Sequence, residues 1–288
     1  MSGGNCMEYK SRKGSSNVED RRGKGKGGIA LAGGGIGGLL LILIITFLGG
    51  DIGEVLNGQQ DADSGTSVPY EETAEEKELA EFVSVVLADT EVVWTKLFQE
   101  QGLEYVEPIL VLYTDSVQSA CGAAGSSVGP FYCPGDHKLY IDLSFYQELQ
   151  DKFQAPGDFA MAYVVAHEVG HHVQTLLGTN EQVNNLRSKL SKEEFNKYSV
   201  RLELQADYFA GVWAKYQKDM NFLEEGDLEE AITAASAVGD DRIQEQAQGY
   251  IVPDTFTHGT SEQRKRWFTR GFEKGTIDGG DTFKAIGL

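Results

Sequence analysis

Cysteine is scarce in this chain, with three residues in 288. No two of them form a Cys-x-x-Cys pair, which excludes a separate cysteine-based zinc site. Histidine is nearly as scarce, with five residues, so a cluster of it carries information. Positive charge is also in short supply. Asp and Glu number 44 against 25 Lys and Arg, for a net charge of −19. Seven of the basic residues (Lys10, Arg12, Lys13, Arg21, Arg22, Lys24 and Lys26) precede residue 27, where Glu8, Glu19 and Asp20 are the only acids. The remainder is therefore more acidic than the total, and no nucleic acid partner is expected for it. Internal repeats are absent.

Charge of either sign is missing from residues 27–50, and residues 29–48 form a run of 20, long enough to span a bilayer as a helix. Leu39-Leu40-Leu41-Ile42-Leu43-Ile44-Ile45 is strongly apolar, while Gly33-Gly34-Gly35 and Gly37-Gly38 weaken the first half. Gly33/Gly37 and Gly34/Gly38 fit G-x-x-x-G, a weak signal for self-association through this helix. No A-x-A-like site follows Leu48, so a retained anchor is expected rather than a cleaved signal peptide. Basic residues before the run and Asp51 and Glu54 after it place the N-terminus in the cytoplasm and the large domain outside, at a bacterial plasma or inner membrane. The expected organisation is a basic cytoplasmic tail (1–26), a transmembrane helix (27–50), a flexible linker (51–70) and one domain (71–288). Outside the cytoplasm, Cys121 and Cys133, 12 residues apart, make a natural disulfide. Cys6 fits neither a lipobox nor a disulfide.

Against these absences stands His167-Glu168-Val169-Gly170-His171, which reads H-E-x-x-H. On a helix the two histidines project from one face and can share a zinc ion. Glu168 sits about 100° around the axis, placed to act on water. Pro156-Gly157-Asp158 is a start signal with Asp158 as a candidate N-cap, and Leu177-Gly178 is a stop. Ala162, Val165, Ala166, Val169, Val173 and Leu176 form the apolar stripe on the opposite side. A catalytic zinc requires a third protein ligand and an open position. Glu203 and Asp207, one turn apart on a second amphipathic helix, supply it: one on the metal, the other on the free N–H of a ligating histidine. Glu203 is the expected ligand and Asp207 the support, with the reverse assignment as rival. His172 is a neighbour, not a ligand.

Residues 79–97 predict a long helix, residues 108–113 and 138–143 strands, and helices follow near 181–190, 192–218, 227–247 and 261–274. The class is α+β: a small antiparallel or mixed sheet, then a mostly helical half. Peptide could add as a strand near residues 129–133 or 138–143.

H-E-x-x-H followed by Glu203-x-x-x-Asp207 resembles the gluzincin metallopeptidases. The chain is more closely similar to the bacterial neutral zinc metallopeptidase family. The match is carried by Asn17-Val18-Glu19-Asp20-Arg21-Arg22-Gly23, Gly129-Pro130-Phe131-Tyr132-Cys133-Pro134, His167 through Gln174, Glu203 through Asp207, Phe209-Ala210-Gly211-Val212-Trp213-Ala214 and Thr257 through Arg264. Where this chain has Tyr208, family members often carry Cys, so no thiolate ligand arises there. The resemblance implies a zincin-like fold, one zinc per chain, and hydrolysis of peptide or protein substrates with Glu168 as general base. It also implies that His258 hydrogen-bonds the oxyanion and that Arg264 holds its loop. The competing class is a non-catalytic membrane-anchored binding protein with a structural zinc. Such a site has no use for Glu168 and tends to have four protein ligands.

Overall fold

A computed structural model describes residues 7–23 and 70–286 of the chain. The expected transmembrane residues 27–50 and most of the expected linker lie outside the described residues. Among the described residues no helix is long and apolar enough to cross a membrane.

The fold opens with strand β1 (Val18–Asp20), and helix α1 (Ala74–Glu100) follows. Thr73-Ala74-Glu75-Glu76 is a capping box, with the Thr73 hydroxyl on the Glu76 N–H and the Glu76 carboxylate on the Thr73 N–H, which starts α1 where it does. Strands β2 (Ile109–Tyr113), β3 (Ser116–Ser119), β4 (Gly122–Gly125), β5 (Phe131–Cys133) and β6 (Lys138–Asp142) come next. One sheet has the order β1-β2-β6-β5. Its first three strands run parallel and β5 pairs antiparallel to β6, so the sheet is mixed, with β5 as an edge. β3 and β4 form a separate hairpin, tied to β5 by the disulfide between Cys121 and Cys133, whose Cα atoms are 5.8 Å apart.

The rest is helical: α2 (Phe145–Asp151), α3 (Asp158–Leu176), α4 (Thr179–Asn184), α5 (Lys192–Asp219), α6 (Asp227–Ala237), α7 (Asp240–Gln248) and α8 (Ser261–Lys274). Capping boxes at Ser191/Glu194 and Thr260/Gln263 start α5 and α8. α3 is buried on nearly every side, packed on α5, α6 and α1 with β5 across it. The closest approach is at Gly170: a Cβ there would stand 2.9 Å from the Ala206 carbonyl oxygen on α5. α5 and α8 touch backbone to backbone through Gly211 and Gly271. The α+β class and the sheet-then-helices order agree with the sequence reading.

Several expectations are corrected. Gly157, not Asp158, is the N-cap of α3; its φ of 113° suits glycine, and the Asp158 carboxylate accepts from the Met7 N–H instead. The expected helix over 227–247 is two helices, separated at Val238-Gly239, where Gly239 is extended (φ −71°, ψ 141°) and packs so close to Ser261 that a Cβ would stand 2.4 Å from its backbone N. The helix near 181–190 covers only Thr179–Asn184. Finally, residues 7–23 are no separate tail. They supply the edge strand β1, and Met7 and Tyr9 are buried in the main core.

Candidate metal centre

α3 carries both histidines of H-E-x-x-H inward, and α5 brings Glu203 to meet them. The Nε2 atom of His167 lies 3.2 Å from one Glu203 oxygen, and the Nε2 atom of His171 lies 3.5 Å from the other. One ligand atom from each residue falls within 4.8 Å of the others. The far nitrogens are both occupied. His167 Nδ1 is 2.9 Å from Asp207 Oδ1, and His171 Nδ1 is 2.9 Å from Gln174 Oε1. Each ring is thereby oriented with its Nδ1 outward and its Nε2 toward Glu203. Two imidazole nitrogens and one carboxylate, with no fourth protein donor in the group, make a donor set that suits zinc with an open position.

Both Asp207 oxygens are engaged by other groups. Its Oδ1 accepts from Tyr163 at 2.6 Å, from His167 and from Arg264 Nη2 at 2.9 Å, and its Oδ2 accepts from Arg264 Nε at 2.8 Å. Arg264 also donates to the Val238 carbonyl at 3.2 Å, and its Nη2 lies 3.4 Å from both ring nitrogens of His167. The sequence reading gave Arg264 to the His258 loop; it grips Asp207 instead. The loop is held by Asp240, at the start of α7. Its Oδ2 accepts the backbone N–H groups of Thr257, His258 and Gly259, and its Oδ1 lies 3.1 Å from His258 Nδ1.

The electrostatics divide these groups. Burial pushes Glu168 up to about 7, with the charge on Glu203 adding to the effect while His167 and the Tyr132 backbone N–H pull the other way. Burial drives His171 down to about 4. For His167, burial also opposes charge, but Asp207 and Glu203 outweigh it and raise the ring to about 9. Burial would raise Glu203 too, yet His171, His258 and His167 hold it well below the carboxylate range. Asp207 is likewise lowered against its burial, chiefly by Arg264 and then His167. His258 stands above its ordinary value, because Asp240 and Glu203 overcome burial.

His167, Glu168, His171, Glu203, His258 and Arg264 line one cavity of about 140 Å³, whose other walls include Gly129 to Phe131, Phe145, Phe153 and Val164. The expected site residues are thus brought together, with β5 as one wall. His172 stays out of it: Tyr132 Oη is 3.0 Å from its Nδ1, and its Nε2 donates to the Val106 carbonyl at 2.6 Å. The Tyr208 hydroxyl donates to the Thr276 carbonyl.

Tyr163, Gln174 and Asp240 were not assigned roles from the sequence. Tyr163 stands one turn before His167 and Gln174 three residues after His171, so helical spacing could have found both. Asp240 had no such signal, because its link to His258 runs between elements. A second acidic group, Asp158, Asp227 and Glu230, is already used: these carboxylates accept the backbone N–H groups of Met7, Glu224 and Phe159.

A family model described as "Putative neutral zinc metallopeptidase" matches residues 7–283. The chain is 47% identical over 278 residues to the uncharacterized protein YpfJ of Escherichia coli strain K12, covering 93% of this chain and 96% of that one. It is 44% identical over 195 residues to the uncharacterized protein Rv2575 of Mycobacterium tuberculosis strain H37Rv, 64% of this chain and 65% of that protein. No solved structure matches.

Proposed function

The chain belongs to the neutral zinc metallopeptidase family, and on that premise we propose that it is a zinc-dependent endopeptidase acting on peptide or protein substrates. The observation that carries the reading is the set His167, His171 and Glu203 with a buried, uncoordinated Glu168 in the same cavity. His167 Nε2, His171 Nε2 and one Glu203 oxygen would hold the ion. A zinc held there supplies a Lewis acid that lowers the pKa of water and polarises a peptide carbonyl.

The protein's own groups do the rest. Glu168, poised near neutrality by burial, takes a proton from the attacking water and delivers it to the leaving amine. His258, raised above its ordinary value by Asp240 and Glu203 against its burial, carries a proton on both nitrogens: Nδ1–H faces Asp240 and Nε2–H is offered to the developing oxyanion. Asp207, held by Arg264 and Tyr163, keeps His167 in the ligating orientation. β5, the edge strand beside Glu168, offers backbone groups to an extended peptide. The disulfide between Cys121 and Cys133 favours an oxidising compartment for the domain.

The test is a metal analysis of purified protein followed by digestion of a peptide library with and without chelator. About one zinc per chain and chelator-sensitive cleavage are expected. A protein that holds zinc yet cleaves nothing would turn the reading toward a binding role.

A further inference from the structure

Residues 7–23 are woven into the body of the domain at points far apart on its surface. β1 pairs in parallel with β2, matching Val18 to Leu110 and Asp20 to Leu112. The Met7 N–H donates to Asp158 at the head of α3 at 2.9 Å. Tyr9 packs edge-on against Phe82 of α1, with ring centroids 5.1 Å apart. Arg12 forms an ion pair with Asp89 and lies 3.6 Å from the ring centroid of Phe222. Lys138 reaches Glu19 at 2.6 Å, and Arg22 reaches Glu72 at 2.8 Å. The seven basic residues that suggested a cytoplasmic flank therefore include several already spent on acids of the domain. The segment also leaves and returns at one place: a Cβ on Gly23 would stand 2.6 Å from the Tyr70 ring.

We infer that residues 7–23 and 70–286 occupy the same side of any membrane this protein meets. A bilayer's hydrocarbon core is about 30 Å thick, and hydrogen-bonded groups under 3 Å apart cannot face each other across it. The topology read from the sequence, with the tail inside and the domain outside, would tear β1 from the sheet and expose Met7 and Tyr9. The chain between the two parts then crosses an even number of times. One crossing uses about 20 apolar residues, and only residues 27–50 offer them. A return through residues 51–69 would bury Asp51, Glu54, Asp61 and Asp63. A single crossing by residues 27–50 is therefore incompatible with β1 paired to β2. The basic residues before that run then no longer set an orientation, and the disulfide alone speaks for the compartment.

The experiment uses the full chain expressed in a bacterial host. Ser11 and Ser188 are both exposed. Ser11→Cys and Ser188→Cys are made separately, each with Cys6→Ser, and intact or permeabilised spheroplasts are treated with a membrane-impermeant maleimide. The expected result is one pattern for both positions, labelled together before permeabilisation or together only after it. Labelling of one position on intact spheroplasts and of the other only after permeabilisation overturns the inference. A second measurement reads the contact itself. Arg12→Ala should lower the melting temperature of the full chain in its membrane, and unchanged melting would count against the packed arm. Neither readout depends on peptidase activity, so failure here leaves the proposed chemistry standing, and the converse holds.

Discussion

Asp207 accepts from His167 at 2.9 Å, and this bond separates the two acids of α5 by role. Asp207 is engaged by Tyr163, His167 and Arg264, while Glu203 faces both Nε2 atoms. Glu203→Ala should therefore purify almost free of zinc. Asp207→Ala should retain the ion with affinity lowered about 10–100-fold, because a supporting group orients a ligand rather than binding the metal. Zinc titration against a competing chelator ranks the two variants. The reverse order would place Asp207 on the metal.

Glu168 is the residue whose loss should spare the metal and remove the chemistry. Glu168→Gln should hold zinc as the native protein does and lose nearly all peptide hydrolysis, since the base acts on water and not on the ion.

The same substitution should stabilise the metal-free protein, with a definite pH dependence. The Glu168 pKa is about 7 in the fold against 4.5 for the free side chain. Between those values the folded state binds the proton more strongly than the unfolded state, so native stability falls as pH rises from about 4.5 to about 7. Glu168→Gln lacks that loss. Its advantage should be near zero at pH 4 and reach about 3 kcal/mol above pH 7, measured by urea unfolding in chelator. A constant difference at every pH would show that burial does not hold the proton there.

Much of this site was legible in the sequence because it lies along helices. A fixed rotation of about 100° per residue determines which side chains share a face, so His167, Glu168, His171, Glu203 and Asp207 could be placed before the fold was known. The apolar stripe of α3 was equally plain. The contacts that cross between elements were not. Asp240 and His258 meet through a loop, and Arg264 meets Asp207 across two helices, so spacing says nothing about either pair. β1 is three residues long and sits before a long uncharged run, so charge alone made it a tail. The break at Gly239 was hidden because α6 and α7 keep helical periodicity on both sides of it.

Gly170, the fourth residue of H-E-x-x-H, is fixed by packing rather than by chemistry. An added methyl would approach the Ala206 carbonyl oxygen to 2.9 Å and its Cα to 3.1 Å, both backbone atoms of a buried helix. Gly170→Ala should push α3 and α5 apart and cost about 1–3 kcal/mol despite alanine's better helix propensity. Since the histidines ride on one helix and Glu203 on the other, zinc affinity should fall along with the melting temperature. Stability gained in this variant, with zinc binding intact, would mean that the helices have room to spare.

The last prediction concerns His258 and Asp240 as a coupled pair. His258 lines the cavity, and Asp240 accepts three successive backbone N–H groups of its loop and faces its Nδ1. An oxyanion donor acts mainly in the transition state, so His258→Ala should lower kcat and kcat/KM together, on the order of 10²–10³-fold, with zinc content unchanged. Asp240→Ala should lower kcat by releasing the same ring, and should also destabilise the protein, because three backbone donors lose their acceptor. If Asp240 acts on catalysis through His258, the double variant should have a kcat no lower than that of His258→Ala, a non-additivity that a purely structural Asp240 would not produce. Multiplicative losses in the double variant, or wild-type kcat in His258→Ala, would return His258 to an ordinary loop residue held by a helix start.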